Sequence, residues 1–424
     1  MHHLTALLRA DMRPALGVTE PGAIAYAAAV ARSHTRGEIC SVDVAMNSGM
    51  YKNAFTCGIP NCSQVGTKYA AALGAVAGRA EKKLEALSDI RPEDNSAAEL
   101  LIAAGKVRVS VSEVTSRIYI CAEVCTARDI ARVIIQDSHT NITRVEVNGT
   151  VLTESAAQTD AETSEVSADI RSNTLADLLA YAQSVDASEL SFIREAFRVN
   201  LELFEEGRRD VRLTFLPYLL AENGGTVLSG DARKTASLLC GGAVEARVLG
   251  LSKPAMSITG SGAHGIIATL PLYAAASAEQ CSEELLTRAA ALSCLICTYI
   301  KEYSGRLSAF CGCAIAGGTG MACGLSLLHG GGVETMTRVI NNLAAGITGM
   351  ICDGGNQGCV MKSILAVDAA FRAEALARNG VCVDSVHGIC GGTPEETMRN
   401  MGRIASPGME GTEKTILEIL QNKD

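Results

Sequence analysis

Three cysteines towards the end of the chain, Cys311, Cys352 and Cys359, stand in glycine-rich, nearly uncharged sequence of a kind that can close around a metal cluster. The first lies in Leu307-Ser-Ala-Phe-Cys311-Gly-Cys313-Ala-Ile-Ala-Gly-Gly-Thr-Gly320, the others in Gly349-Met-Ile-Cys352-Asp-Gly-Gly-Asn-Gln-Gly-Cys359. Thiolates are the usual ligands of iron–sulfur clusters, and burial with surrounding hydrogen bonds tunes them. Three protein ligands would leave one iron open as a Lewis acid, which points to catalysis rather than electron transfer. The spacing fits neither a ferredoxin run nor a zinc finger, so the alternative reading is three core cysteines. Ligation is favoured because glycines interrupt both segments just before helical sequence, and a helix N-terminus stabilises a thiolate. Of the neighbouring pair, Cys311 is expected to ligate and Cys313 to pack.

Other motifs carry weaker signals. Cys294-Leu-Ile-Cys297 has the spacing of a redox pair but lies within an apolar helical stretch, and reads as core. Ser257-Ile-Thr-Gly-Ser261-Gly262-Ala-His264-Gly265 precedes an apolar helix, and its amides with the Ser261 hydroxyl could hold a carboxylate. His264 and His139 are the histidines best placed in loop sequence; such residues also serve as structural hydrogen-bonders.

The elements that must position these groups follow from periodicity. Residues 14–34 read as one Ala-rich helix opening at Thr19-Glu20-Pro21, with Thr19 as cap and Glu20 at the N-terminus. A strand over 38–48 leads into a loop from Asn47 to Asn61, followed by a helix over about 65–86. Alternation with dense β-branching at Lys106–Val114, Arg117–Val124, Ala131–Gln136 and Thr143–Val147 predicts an antiparallel sheet, the only one expected. Polar sequence over 151–170 reads as a linker, and beyond it helices are expected over 174–184, 187–206, 209–221, 232–248, 264–278, 281–303, 313–328, 333–348, 359–378, 382–390, 394–402 and 411–422. The class is therefore α+β: a small N-terminal domain with the sheet, residues 1–165, then a large all-helical domain, residues 166–424.

Composition narrows the function. With 48% hydrophobic and 20% charged residues the 424-residue chain can bury a large core. Its 37 basic and 46 acidic residues give −9, with no basic run interleaved with aromatics, which argues against nucleic acid. The apolar stretches are too short or too glycine-broken to span a membrane. The N-terminus has no signal-peptide core, and the 16 cysteines are scattered through helical sequence, so reduced thiols in the cytoplasm are expected. Base rates for soluble enzymes suggest a homodimer.

Taken in order, Gly17-Val-Thr-Glu-Pro21, Tyr51-Lys-Asn53, Ser138-His-Thr-Asn-Ile142, Gly260-Ser-Gly-Ala-His-Gly265, Leu307-Ser-Ala-Phe-Cys311 and Gly349-Met-Ile-Cys352-Asp-Gly…Cys359 resemble the L-cysteine desulfidase family along nearly the whole chain. That family is related to the iron–sulfur L-serine dehydratases, whose helical domain holds a [4Fe–4S] cluster through three cysteines. The resemblance implies Cys311, Cys352 and Cys359 as cluster ligands and Glu20, Lys52 and His264 as catalytic. It implies Thr19, Asn53, His139, Asn141, Ser261 and Gly262 around a small amino-acid substrate. The implied reaction is β-elimination of L-cysteine to pyruvate, ammonia and hydrogen sulfide; the alternatives are an L-serine or L-threonine dehydratase, or an inactive relative that binds an amino acid or a cluster. Two positions depart from the pattern. Family members typically carry a cysteine where this chain has Val18 and commonly an asparagine where it has Ala263, removing a thiol and an amide.

Overall fold

The computed structural model describes residues 1–155, 170–305 and 307–423. Its sheets are built from β1 (Arg13–Leu16), β2 (Ile39–Asn47), β3 (Val107–Glu113), β4 (Tyr119–Thr126), β5 (Ile130–Gln136), β6 (Ile142–Val147), β7 (Thr150–Glu154) and β8 (Pro254–Ser257). The larger sheet has the order β3-β2-β4-β5-β6-β7. It is antiparallel except for the β2–β3 pair. That pair runs parallel because three helices, Ser48–Ala54, Thr67–Ala77 and Pro92–Ala103, carry the chain back before β3 starts.

One face of the sheet is buried and one is wet. Val42, Val44, Met46, Ile120, Ala122, Val124, Val133 and Ile135 point inward into a core shared with the Ala-rich helix Thr19–Ser33. The outer face carries the cross-strand pairs Arg108–Asp43 and Arg132–Glu123, each between register partners.

Several expectations are corrected. The helix expected from residue 14 begins at Thr19; Arg13–Leu16 instead pairs antiparallel with Pro254–Ser257 as a second, two-stranded sheet. Gly17, at φ +63°, turns the chain between strand and helix. The loop after β2 contains the helix Ser48–Ala54. The helix expected over 65–86 stops at Ala77 and resumes as a 3-10 segment, Ala80–Glu85. Pro92–Ala103 is an unexpected helix and 382–390 an unformed one. The expected linker begins as the edge strand β7; positions 156–169, including the expected boundary at 165, lie outside the described residues.

The larger core is helical. Gly262–Ala278 and Glu283–Ser304 are buried almost all round, as their lack of an amphipathic pattern requires. The N-terminal helix His3–Asp11 contributes Leu4, Leu7 and Leu8 to this core, whereas Leu417 of the C-terminal helix Glu410–Gln421 joins the core beneath the sheet. Both ends of the chain thus tie the two halves together. Among the described residues no helix is long and apolar enough to cross a membrane.

Candidate active site

Backbone pairing brings the cysteine segments together. The Cys311 amide donates to the Met350 carbonyl at 3.0 Å and the Cys352 amide to the Ala309 carbonyl at 2.6 Å, around an antiparallel bridge between Phe310 and Ile351. Cys359 lies in the first turn of the helix Gly358–Arg378, its Sγ 3.4 Å from the Gly354 carbonyl. Cys313 opens the π-helical turn Cys313–Gly317 that leads into the helix Gly318–Leu328, and its Sγ is 3.5 Å from that of Cys311.

These thiols share an electrostatic environment. The hydrogen bond within the pair, together with burial, holds the Cys311 thiol well above the usual range, while the same bond lowers Cys313. Burial pushes Cys359 up to about 12, with further opposition from the neighbouring thiols. Lys362, in the same helix as Cys359, pairs with the Asp353 carboxylate. Burial works against its charge, but Asp353 and the thiols of Cys311, Cys352 and Cys359 outweigh it and raise its pKa. Deprotonated, the three thiols would therefore find a cation beside them.

Cys313, Cys352 and Cys359 form one wall of a cavity of about 80 Å³ whose other walls carry Glu20, Asn53, His139, Ser261 and His264. Glu20, in the first turn of its helix, accepts a hydrogen bond from Asn53 Nδ2 at 2.9 Å, and His139 Nε2 stands 3.9 Å from the same carboxylate oxygen. His264 is kept neutral, its pKa lowered to about 3 by burial and then by the Lys301 ammonium. Its Nδ1 lies 2.5 Å from Thr259 Oγ1 and 3.2 Å from the Ile258 carbonyl. Because the Thr259 hydroxyl already donates to that carbonyl, the ring proton belongs on Nδ1 and Nε2 is left as an acceptor. A Cβ on Gly312 would stand 2.8 Å from Nε2, so any larger residue there would have to displace the imidazole.

Not every expected residue reaches the cavity. Thr19 does not cap its helix; its hydroxyl donates to the Gly260 carbonyl at 3.1 Å and braces the loop from behind. Gly262 starts its helix between Ser261 and Ala263, which do line the cavity. The Asn141 amide donates to the Gln136 carbonyl at 3.1 Å, closing the β5–β6 turn. The Lys52 ammonium is buried against Glu413 at 2.5 Å and donates to the Ser308 carbonyl at 3.1 Å. Cys311 does not line the cavity, although its Sγ is 3.5 Å from that of Cys313, which does. Val18 and Ala263 both line the cavity, so the departures from the family pattern fall on its wall.

A family profile described as serine dehydratase alpha chain matches residues 81–418. The chain belongs to that family. Its relatives include proteins from Clostridium botulinum strain Okra, 39% identical over 98% of this chain and 97% of theirs, and from Caldanaerobacter subterraneus, 36% identical over 99% and 98%. One from Clostridium tetani is 33% identical over 99% and 98%. All three are named only as UPF0597 proteins, a designation that states no activity. The serine dehydratase alpha-chain family is of the dehydratase type and belongs with the iron–sulfur dehydratases.

The residues present fit such a group. Among the described residues no three His, Cys, Asp or Glu side chains are close enough to share a single ion. A cluster does not need that closeness, because its thiolates bind separate irons. What it needs is thiols on one wall of a cavity, a nearby cation and room close to backbone, and Cys313, Cys352, Cys359, Lys362 and the Gly354-Gly355 loop supply these. Sequence reasoning missed Cys313 as a wall residue, and also Arg247, Lys301 and Lys362. Arg247 and Lys301 sit in helices buried over most of their surface, where nothing local marks a charge turned towards the cavity; Lys362, three residues after Cys359, was the most findable.

Proposed function

We propose that this protein is a [4Fe–4S]-dependent lyase that eliminates the β-substituent of a small L-amino acid, with L-cysteine as substrate and pyruvate, ammonia and hydrogen sulfide as products. The observation that carries this reading is the meeting, in one small cavity, of a wall of thiols with a wall of buried proton-accepting groups. Cys352 and Cys359 hold the cluster together with one member of the Cys311–Cys313 pair. We assign that third position to Cys313 because its side chain reaches the cavity wall and that of Cys311 does not. When bound, the cluster offers the departing heteroatom a Lewis acid.

The chain's own residues do the rest. Glu20, in the first turn of its helix and steadied by the hydrogen bond from Asn53, takes the α-proton. Loss of that proton and cleavage of the Cβ–S bond give aminoacrylate, which tautomerises to an imine that water hydrolyses. His264 supplies a neutral acceptor at Nε2, and Ser261 a hydroxyl. The buried walls exclude bulk water while the carbanion-like charge develops.

L-Serine is the second reading, favoured by the family's own description. Anaerobic reconstitution with iron and sulfide tests the common premise. We expect about four irons and four sulfides per chain, with broad visible absorption that air bleaches. A folded protein that takes up no iron ends both readings.

A further inference from the structure

Arg247 is a buried guanidinium that lines the cavity, and among the described residues nothing accepts a hydrogen bond from its Nε. It lies in the last turn of the helix Ala232–Val248, is 5% exposed, and lines the cavity. That Nε is fully buried, and among the described residues no carboxylate forms an ion pair with the guanidinium. Burying an uncompensated charge is costly, so a side chain held in this way is completed by an anion that arrives from elsewhere.

The surroundings indicate which anion. A Cβ added to Gly262 would meet Arg247 Nε at 2.7 Å and Cδ at 3.1 Å, so the guanidinium stem lies flat against the start of the helix Gly262–Ala278. That helix opens without a side-chain cap: Ser261, its N-cap residue, makes no capping hydrogen bond and lines the cavity instead. A seventeen-residue helix thus presents free first-turn amides, an uncommitted hydroxyl and a planar donor fork to the same small space. Glu20 is on the cavity wall as well, and would repel an anion there but attract an ammonium group.

Resting on the lyase reading above, we infer that Arg247 binds the α-carboxylate of the amino-acid substrate, with Ser261 and the first turn of the helix Gly262–Ala278 as co-donors. The substrate is thereby held by its acid group at one end of the cavity, with its ammonium towards Glu20. Arg247 also acts electrostatically on Cys313 and Cys57. The competing role is therefore that of a counter-charge for the thiol wall.

Calorimetric titration of anaerobically reconstituted protein separates the two roles. L-Alanine keeps the ammonium and carboxylate but has no leaving group, and L-alaninamide lacks only the acid. Wild-type protein is expected to bind L-alanine at least about tenfold more tightly than the amide. Arg247→Gln should weaken L-alanine by about tenfold or more at unchanged iron content, with Arg247→Lys in between, because lysine keeps the charge but not the fork. The assignment is overturned if wild type binds no L-alanine or binds the amide equally well. It is also overturned if either variant keeps wild-type affinity, or if Arg247→Lys loses its iron. Should Arg247→Gln not fold, the lysine variant and the amide comparison decide. Arg247-dependent binding without turnover of L-cysteine or L-serine would sink the lyase reading and leave this assignment standing; turnover indifferent to Arg247 would do the reverse.

Discussion

Cys352→Ala and Cys359→Ala proteins, reconstituted as the wild type, are expected to lose most of their iron and at least about a thousandfold of any elimination activity, since the metal both binds and activates. Neither change should unfold the chain. Cys352 is only partly buried, and Cys359 presents its sulfur to a cavity, so truncation leaves little new void. Far-ultraviolet circular dichroism should be unchanged. Cys294→Ala and Cys323→Ala are the controls: both thiols are buried and lie outside the cavity wall, and their loss should cost stability but not iron. Between Cys311 and Cys313, the account expects the Cys313→Ala protein to be the one without cluster. Iron retained in Cys352→Ala would remove the foundation of the metal assignment.

Lys52→Met is expected to destabilise the protein by about 3–5 kcal/mol, the usual result of stripping one partner from a buried ion pair. The Lys52 and Glu413 side chains are 1% and 7% exposed, and Glu413 Oε1 already has no hydrogen-bond partner. With the ammonium gone, a buried carboxylate remains between the helix Ser48–Ala54 and the C-terminal helix. Replacing both residues by methionine should recover most of the loss, because two apolar side chains of similar size can fill the space without a charge to desolvate. Urea titration of the three proteins measures it; a single variant within about 1 kcal/mol of wild type would show the pair to be solvated. The same double variant addresses the role that family resemblance implies for Lys52. Near-wild-type stability without activity would return Lys52 to the chemistry, whereas retained activity would leave it as the bolt that holds the C-terminal helix beside the site.

The sequence showed the two cysteine segments because glycine and the absence of charge marked them, and it showed β2 and β4–β6 because alternation marks a sheet with one buried face. It could not show that β3 pairs parallel to β2, since that depends on where three intervening helices return the chain. Pro92–Ala103 escaped notice because only Ala98 is buried in it, leaving almost no periodic signal. The opposite error arose at 382–390, where isolated apolar residues suggested a helix, although Asp384 and the positive-φ Gly388 favour turns. At the site, Glu20, Asn53, His139, Ser261 and His264 came from motifs and meet in one cavity. Which of Cys311 and Cys313 faces inward depends on a bridge between residues 310 and 351 and on a π-helical turn, neither of which leaves a local signature. Arg247 was invisible for the same reason: its meaning comes from what lies opposite it in space.

The most direct test of the central claim is pyruvate release from anaerobically reconstituted protein of confirmed iron content, offered L-cysteine and L-serine in parallel. The account predicts pyruvate with stoichiometric hydrogen sulfide from L-cysteine; pyruvate from L-serine alone would make the protein a dehydratase on the same machinery. A fully loaded protein that releases pyruvate from neither would contradict the lyase assignment.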